Sequence, residues 1–171
     1  MPDGYLWIGA EFGLVRFDGV RSIDSGEKGG LMNTETRVIR ILTADDHALL
    51  REGIASLVDI EPDMELVAQA STGREAIEQF RRQRPDITLM DLQMPDISGI
   101  EAIIAIRSEF PDARIVVLTT YAGDVQVVRA LKAGARGYLT KAEAPKEVAR
   151  AVRDVLNGWM LVSPRAADAL R

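Results

Sequence analysis

The sequence predicts an α/β domain built on a parallel sheet of five strands with helices on both faces. Three observations carry that expectation. Five short, β-branched and largely apolar runs have the character of strands buried on both sides. The stretches between them carry apolar residues at helical spacing. Strand and helix alternate along the chain, which implies right-handed crossovers between parallel neighbours. With 171 residues, 47% of them hydrophobic, the chain can bury one such core and still have roughly thirty residues to spare.

The spare residues come first. Residues 5–18 contain two short β-type runs joined at Glu11-Phe12-Gly13, and Ser25-Gly26-Glu27-Lys28-Gly29-Gly30 follows as a flexible polar linker. From Arg37 the apolar runs are Val38–Leu42, Glu65–Ala70, Ile87–Met90, Ile115–Thr119 and Gly137–Thr140. Leu50, Ile54, Leu57 and Val58 share one helix face, and Val148, Val152, Val155 and Leu156 another. Thr72 with Glu75 and Ser98 with Glu101 fit capping boxes. Arg84-Pro85 and Phe110-Pro111 stop two helices, and Asn157-Gly158 suits a left-handed cap. Ser163-Pro164 opens what reads as a further N-capped helix.

Composition removes several chemistries. The chain has no cysteine, so disulfide scaffolds, thiolate metal sites and cysteine nucleophiles are excluded together. One histidine is too few for a His-rich metal site. A formal charge of −5 predicts no DNA contact by this chain. No apolar run is long enough to span a bilayer and no signal pattern opens the chain, so the expectation is a cytoplasmic protein without a membrane partner.

In open parallel sheets, ligands bind beyond the carboxyl ends of the strands, where the strand order reverses. The first run delivers Asp45 and Asp46 to that edge and the third delivers Asp91; Thr119 ends the fourth run and Lys141 follows the fifth. Read separately, Asp45-Asp46 would suit a helix N-cap pair, Thr119 a strand end and Lys141 a solvated loop. Read together, three carboxylates at one edge cannot all stay ionised without a cation or a raised pKa. With oxygen donors only, the natural cation is Mg2+ or Mn2+. A carboxylate in that setting can attack phosphorus, with an ammonium and a hydroxyl to hold phosphoryl oxygens. The pattern is that of a site for an aspartyl phosphate.

Thr43-Ala44-Asp45-Asp46-His47, Leu89-Met90-Asp91-Leu92-Gln93-Met94-Pro95-Asp96-Ile97-Ser98-Gly99, Val117-Leu118-Thr119-Thr120-Tyr121 and Gly134-Ala135-Arg136-Gly137-Tyr138-Leu139-Thr140-Lys141 closely resemble the receiver domain of bacterial response regulators. The Asp45–Gly53 stretch and Leu118-Thr119-Thr120-Tyr121 resemble its NarL/FixJ (LuxR-type) branch. The resemblance implies a flavodoxin-like (βα)5 domain with strand order 2-1-3-4-5. It also implies that Asp91 accepts a phosphoryl group from a sensor histidine kinase, and that Asp46, Asp91 and the backbone carbonyl of Gln93 ligate Mg2+, with Asp45 acting mainly through water. Lys141 would pair with Asp91 and later with the phosphoryl group, Thr119 would move toward it, and Tyr138 would turn inward behind it. Gln93 and Tyr121 occupy positions that influence phosphoryl lifetime. His47 is expected to pack beside the site in the first turn of a helix. Ala142 stands where many receivers have proline, which implies a freer loop.

The resemblance further implies a signalling module rather than an enzyme, with self-catalysed phosphoryl transfer and autodephosphorylation only. It implies a homodimer on phosphorylation and an output in transcription, through a helix-turn-helix domain expected beyond this chain. The expected organisation is an extension and linker over 1–31, the receiver over 32–160 and the start of a linker helix over 161–171. Gly4–Gly19 resembles one propeller repeat from sensor regions of two-component regulators; a single repeat cannot bury its own apolar face, so it is expected to be a remnant that is flexible or borrows a surface, with Met32 as an alternative start. Two rivals compete. A haloacid-dehalogenase-type phosphatase would need an acid where Gln93 stands, and a pseudo-receiver would bind partners without phosphorylation.

Overall fold

A computed structural model describes residues 6–9, 37–120, 124–143 and 145–162. The five apolar runs become β2 (Ile39–Ala44), β3 (Met64–Ala70), β4 (Ile87–Met90), β5 (Ile115–Thr119) and β6 (Gly137–Thr140). They are joined by α1 (Ala48–Ile60), α2 (Gly73–Gln83), α3 (Gly99–Glu109) and α4 (Asp124–Lys132), and α5 (Pro145–Leu156) follows the last of them. Neighbours run β3-β2-β4-β5-β6, every pair parallel, which is the order 2-1-3-4-5 counted over those five runs.

The sheet does not stop at five strands. β7 (Trp159–Val162) lies parallel beside β6, with Gly137 opposite Leu161, and β1 (Leu6–Gly9) pairs antiparallel with β7. Leu161 N donates to Arg136 O at 2.9 Å, and Gly158, at φ 88°, turns the chain out of α5 toward that edge. Residues 161 and 162, expected to begin a linker helix, therefore belong to the sheet. The helix expected from Ser163 and the second run expected within 5–18 lie outside the described residues.

Alternation along the strands explains why they read as continuously apolar. Ile41, Leu89, Val116 and Leu139 enter one core with Ile54, Leu57 and Val58 of α1 and Val148, Val152 and Val155 of α5. Leu42, Met90, Val117 and Tyr138 enter the other with Phe80 of α2, Ile103 and Ile106 of α3 and Val127 of α4. Tyr138 is already buried in that second core.

The helix ends follow their local signals with one difference. Ser98 and Glu101 form both halves of a capping box at α3. Thr72 accepts from Glu75 N at α2, but the Glu75 carboxylate bonds Ser71 N at 2.7 Å instead of closing the box. Arg84, at φ 47°, ends α2 ahead of Pro85, and its guanidinium lies 3.7 Å over the Phe110 ring that ends α3. β2 has β3 on one side and β4 on the other, so the strand order reverses at β2 and β4. Asp45 and Asp91 are the first residues past the strands that meet there.

Candidate functional site

Asp45 is carried out of β2 with its backbone N bonded to Ala70 O at 3.0 Å, and Asp91 leaves β4 with N bonded to Ala44 O at 2.8 Å. The ladder thus fixes both residues at adjacent strand ends, where they are only 2% and 3% exposed. The Asp91 carboxylate accepts from Gln93 N at 3.2 Å, turning the following loop back on itself. Gly99 closes that loop onto the site. A side-chain carbon there would stand 2.0 Å from Asp91 O, so only glycine lets α3 begin against it.

Lys141 enters from the far side of the edge. Its N bonds Thr119 O at 2.8 Å, and its ammonium reaches across to both buried acids. Nζ donates to Asp91 Oδ2 at 2.9 Å and lies 2.6 Å from Asp45 Oδ2, a close ion pair not aligned as a hydrogen bond. Thr119, buried at the end of β5, sits level with Thr140 of β6. The loop that carries Ala142 is closed by Glu143 N on Thr140 O at 3.1 Å.

Asp46 and His47 form the open side of the pocket. The Asp46 side chain is 37% exposed, and the His47 ring, at the N-cap of α1 and 67% exposed, lies over both acids. His47 Nδ1 is 2.9 Å from Asp46 Oδ1 and 3.1 Å from Asp45 Oδ1, and His47 N donates to Asp45 Oδ1 at 2.8 Å. His47 thus occupies the N-cap itself rather than the first helical turn expected for it. Arg51, one turn into α1, donates to Asp45 O at 2.6 Å and ties down the acid loop; its spacing alone gave no sign of this contact.

Electrostatics set the two buried groups apart. Burial pushes the Asp91 carboxyl above the ordinary aspartate range, against the opposing pull of Lys141 and Gln93 N. Burial works against charge on Lys141 too, but its close pairing with Asp45 and Asp91 outweighs that and holds the ammonium above the ordinary lysine value. Three carboxylates against one ammonium leave the pocket negative. A carboxylate oxygen of Asp45 is buried without a hydrogen bond, and Asp45, Asp46, His47 and Asp91 each offer a ligand atom within 4.8 Å of the others. The residues present therefore fit a divalent cation.

The structure brings Asp45, Asp46, Asp91 and Lys141 together, with Thr119 at the neighbouring strand end. Gln93 contributes its N–H, Tyr138 packs in the core and Tyr121 lies outside the described residues. Beside Lys141, an apolar groove of about 490 Å³ opens between α1 and α5, lined by Leu49, Leu50, Ile54 and Val148 among others.

Comparison with known proteins gives concordant matches. The response regulator receiver domain family matches residues 41–153. The response regulator protein VraR of Staphylococcus aureus is 36% identical over 133 residues, covering 78% of this chain and 64% of its own. The chain thus spans just under two thirds of the length of such relatives. A LuxR-family two-component response regulator from Aurantimonas sp. SI85-9A1 superposes with a TM-score of 0.71 at 37% identity, covering 78% of this chain and 95% of that one. The response regulator domain of Thermotoga maritima CheB gives 0.67 at 31% identity, covering 71% and 98%.

Proposed function

Because the chain belongs to the response regulator receiver domain family, we propose that Asp91 is the phosphoryl acceptor of a two-component signalling switch. The observation that carries this reading is the single ammonium of Lys141 shared between two buried strand-end carboxylates, Asp45 and Asp91.

A carboxylate oxygen of Asp91 attacks the phosphorus of a kinase phosphohistidine; the new P–O bond forms as the P–N bond breaks, and the departing imidazole keeps the electron pair and takes up a proton. Asp46, Asp91 and the Gln93 carbonyl would hold Mg2+ or Mn2+, with Asp45 acting mainly through water, and the ion would neutralise charge on the phosphoryl oxygens. The chain's own residues do the remainder. Gln93 N–H orients the Asp91 carboxylate, Arg51 steadies the loop that carries Asp45 and Asp46, and Lys141 is placed to follow the phosphoryl group once Asp91 is esterified. Thr119 then closes on a phosphoryl oxygen and Tyr138 adjusts behind it, biasing a two-state face. Gln93 and Tyr121 set how long the phosphoryl group lasts.

The partners that follow are a sensor histidine kinase, a second copy of the chain on phosphorylation and, in a longer protein, a DNA-binding domain through which transcription is controlled in the cytoplasm. Among the described residues no helix is long and apolar enough to cross a membrane. The propeller-remnant reading of residues 1–31 rests on the order Leu6-Trp7-Ile8-Gly9 and Gly13-Leu14-Val15-Arg16-Phe17-Asp18-Gly19 alone.

Intact-mass measurement after incubation with acetyl phosphate tests the proposal. The expected result is a Mg2+-dependent gain of one phosphoryl group that Asp91→Asn abolishes. No gain in a chain separately shown to bind Mg2+ would overturn it in favour of a phosphorylation-independent interaction module.

A further inference from the structure

The loop between Asp91 and α3 carries both groups that Gln93 brings to the switch reading, its N–H and its carbonyl. Its two ends are fixed by its own backbone. Gln93 N donates to Asp91 Oδ1 at 3.2 Å where the chain leaves β4, and Gly99 N donates to Leu92 O at 3.0 Å where it enters α3. Between those points Met94, Pro95 and Ile97 have no side-chain hydrogen-bonding group, and Met94 and Ile97 pack on the core beneath.

Asp96 is different. Its φ is 75°, in the left-handed region that suits glycine and that a residue with a side chain adopts at a cost. Its carboxylate is gripped by a guanidinium fork from another element. Arg74 Nε donates to Asp96 Oδ2 at 2.7 Å and Nη2 donates to Oδ1 at 3.2 Å. Arg74 is the second residue of α2, and the first is just as close to the loop: a side-chain carbon on Gly73 would stand 2.3 Å from Ile97 O. Helix α2 thus presses on the loop with one residue and clasps it with the next. The strained residue is held in place from outside its own loop.

We propose that Arg74 is a positioning residue for phosphoryl transfer: its clasp on Asp96 keeps the loop in the turn that presents Gln93 to Asp91. Without the clasp Asp96 relaxes toward an ordinary negative φ, and Gln93, three residues back in the same loop, loses its alignment. The proposal deepens the reading of Asp91 as phosphoryl acceptor and rests on it. Arg74 and Asp96 are 66% and 39% exposed, so the clasp tunes the site severalfold rather than making or abolishing it.

The test is a double-mutant cycle in the full chain with Arg74→Gln, Asp96→Gly and the two combined. Mg2+ affinity and the rate of labelling by acetyl phosphate at saturating Mg2+ are measured, with Tm recorded beside them. Arg74→Gln is expected to weaken Mg2+ binding and slow labelling by about threefold each, with Arg74→Lys, which keeps the charge but not the fork, falling between. Asp96→Gly relieves the strained φ, so in that background Arg74→Gln should change either quantity by less than about 1.5-fold. An equal loss in both backgrounds would overturn the proposal. So would a lowered Tm with Mg2+ affinity and labelling unchanged, since Arg74 would then serve the fold alone. If the parent chain binds Mg2+ but takes no phosphoryl group, the switch reading falls and positioning for transfer falls with it. If the parent is labelled and the cycle shows no coupling, the switch reading stands and only the clasp is lost.

Discussion

At the carboxyl end of the sheet, Asp45 and Asp91 share the ammonium of Lys141; at the amino end, Glu61 and Asp63 share the guanidinium of Arg153. Both are clusters of two acids and one cation, yet Asp63 and Asp91 respond in opposite directions. Arg153 donates from Nε and a terminal nitrogen to the two oxygens of Asp63, at 2.9 and 2.6 Å, and holds that carboxyl below the ordinary aspartate range. Asp91 has a bond of similar length from Lys141 and is nevertheless pushed upward. The difference is water. The Asp63 side chain is 24% exposed and the Asp91 side chain 3%. Fork geometry and partial solvation let the first pair act as a clasp, whereas desolvation keeps the second short of positive charge.

The sharpest way to break this contrast is to remove each cation in turn. Lys141→Met strands two buried carboxylates and is expected to cost about 3 kcal/mol near neutral pH, read by urea unfolding. A cost below that of the arginine variant described below would mean that the buried pair is not short of charge. Metal should work in the other direction at the same end. Mg2+ at about a hundredfold excess over its Kd should stabilise the chain by about 2.7 kcal/mol, seen as a rise in Tm, and Asp91→Asn should lose most of the rise. Stripping the ion with a chelator should reverse it. Arg153→Met is expected to cost only about 1 kcal/mol, because its guanidinium is more than a third exposed and solvent screens the pair.

The smallest effect is the most discriminating. Asp63, with its folded value lowered, contributes stability that is present above the ordinary aspartate value and is lost as pH falls through the lowered one. Asp91, with its folded value raised, keeps a proton in the folded chain that the unfolded chain has already released. Its contribution to stability therefore falls as pH rises from the ordinary value through the raised one. Denaturation midpoints across the acid range should show Asp63→Asn less stable than the parent toward neutral pH and Asp91→Asn, without metal, more stable. Parallel curves for the two variants would remove the contrast.

The same physics decides what the sequence made legible. Strands β4, β5 and β6 begin and end where their apolar runs do, because a strand buried on both faces is apolar throughout and a polar residue marks its exit. That is also why Asp91 and Lys141 could be placed at one edge before any coordinates. The Ser98–Glu101 box was visible because both of its partners are local; at Thr72 the same pattern misleads, since Ser71 offers Glu75 a second donor pair. β7 escaped notice because it is defined by Gly137 and Arg136 on one side and by β1 on the other, which no window around Trp159–Val162 contains. The bond from Arg51 to Asp45 O and the reach of Lys141 to Asp45 as well as Asp91 escaped for a related reason. Backbone acceptors and shared cations leave no periodic trace.

The strand pair that the sequence did not announce has a mechanical consequence. β1 and β7 run antiparallel, with Leu6 opposite Val162 and Gly9 opposite Trp159. The points where the chain enters β1 and leaves β7 are therefore on the same end of one short ladder. A pull applied at Leu6 and Val162 would open that ladder like a zip, one rung at a time, rather than loading all its hydrogen bonds together in shear. Tension between those two positions would peel β1 away at low force while the parallel strands, and the acid pocket at their carboxyl ends, remained unstressed.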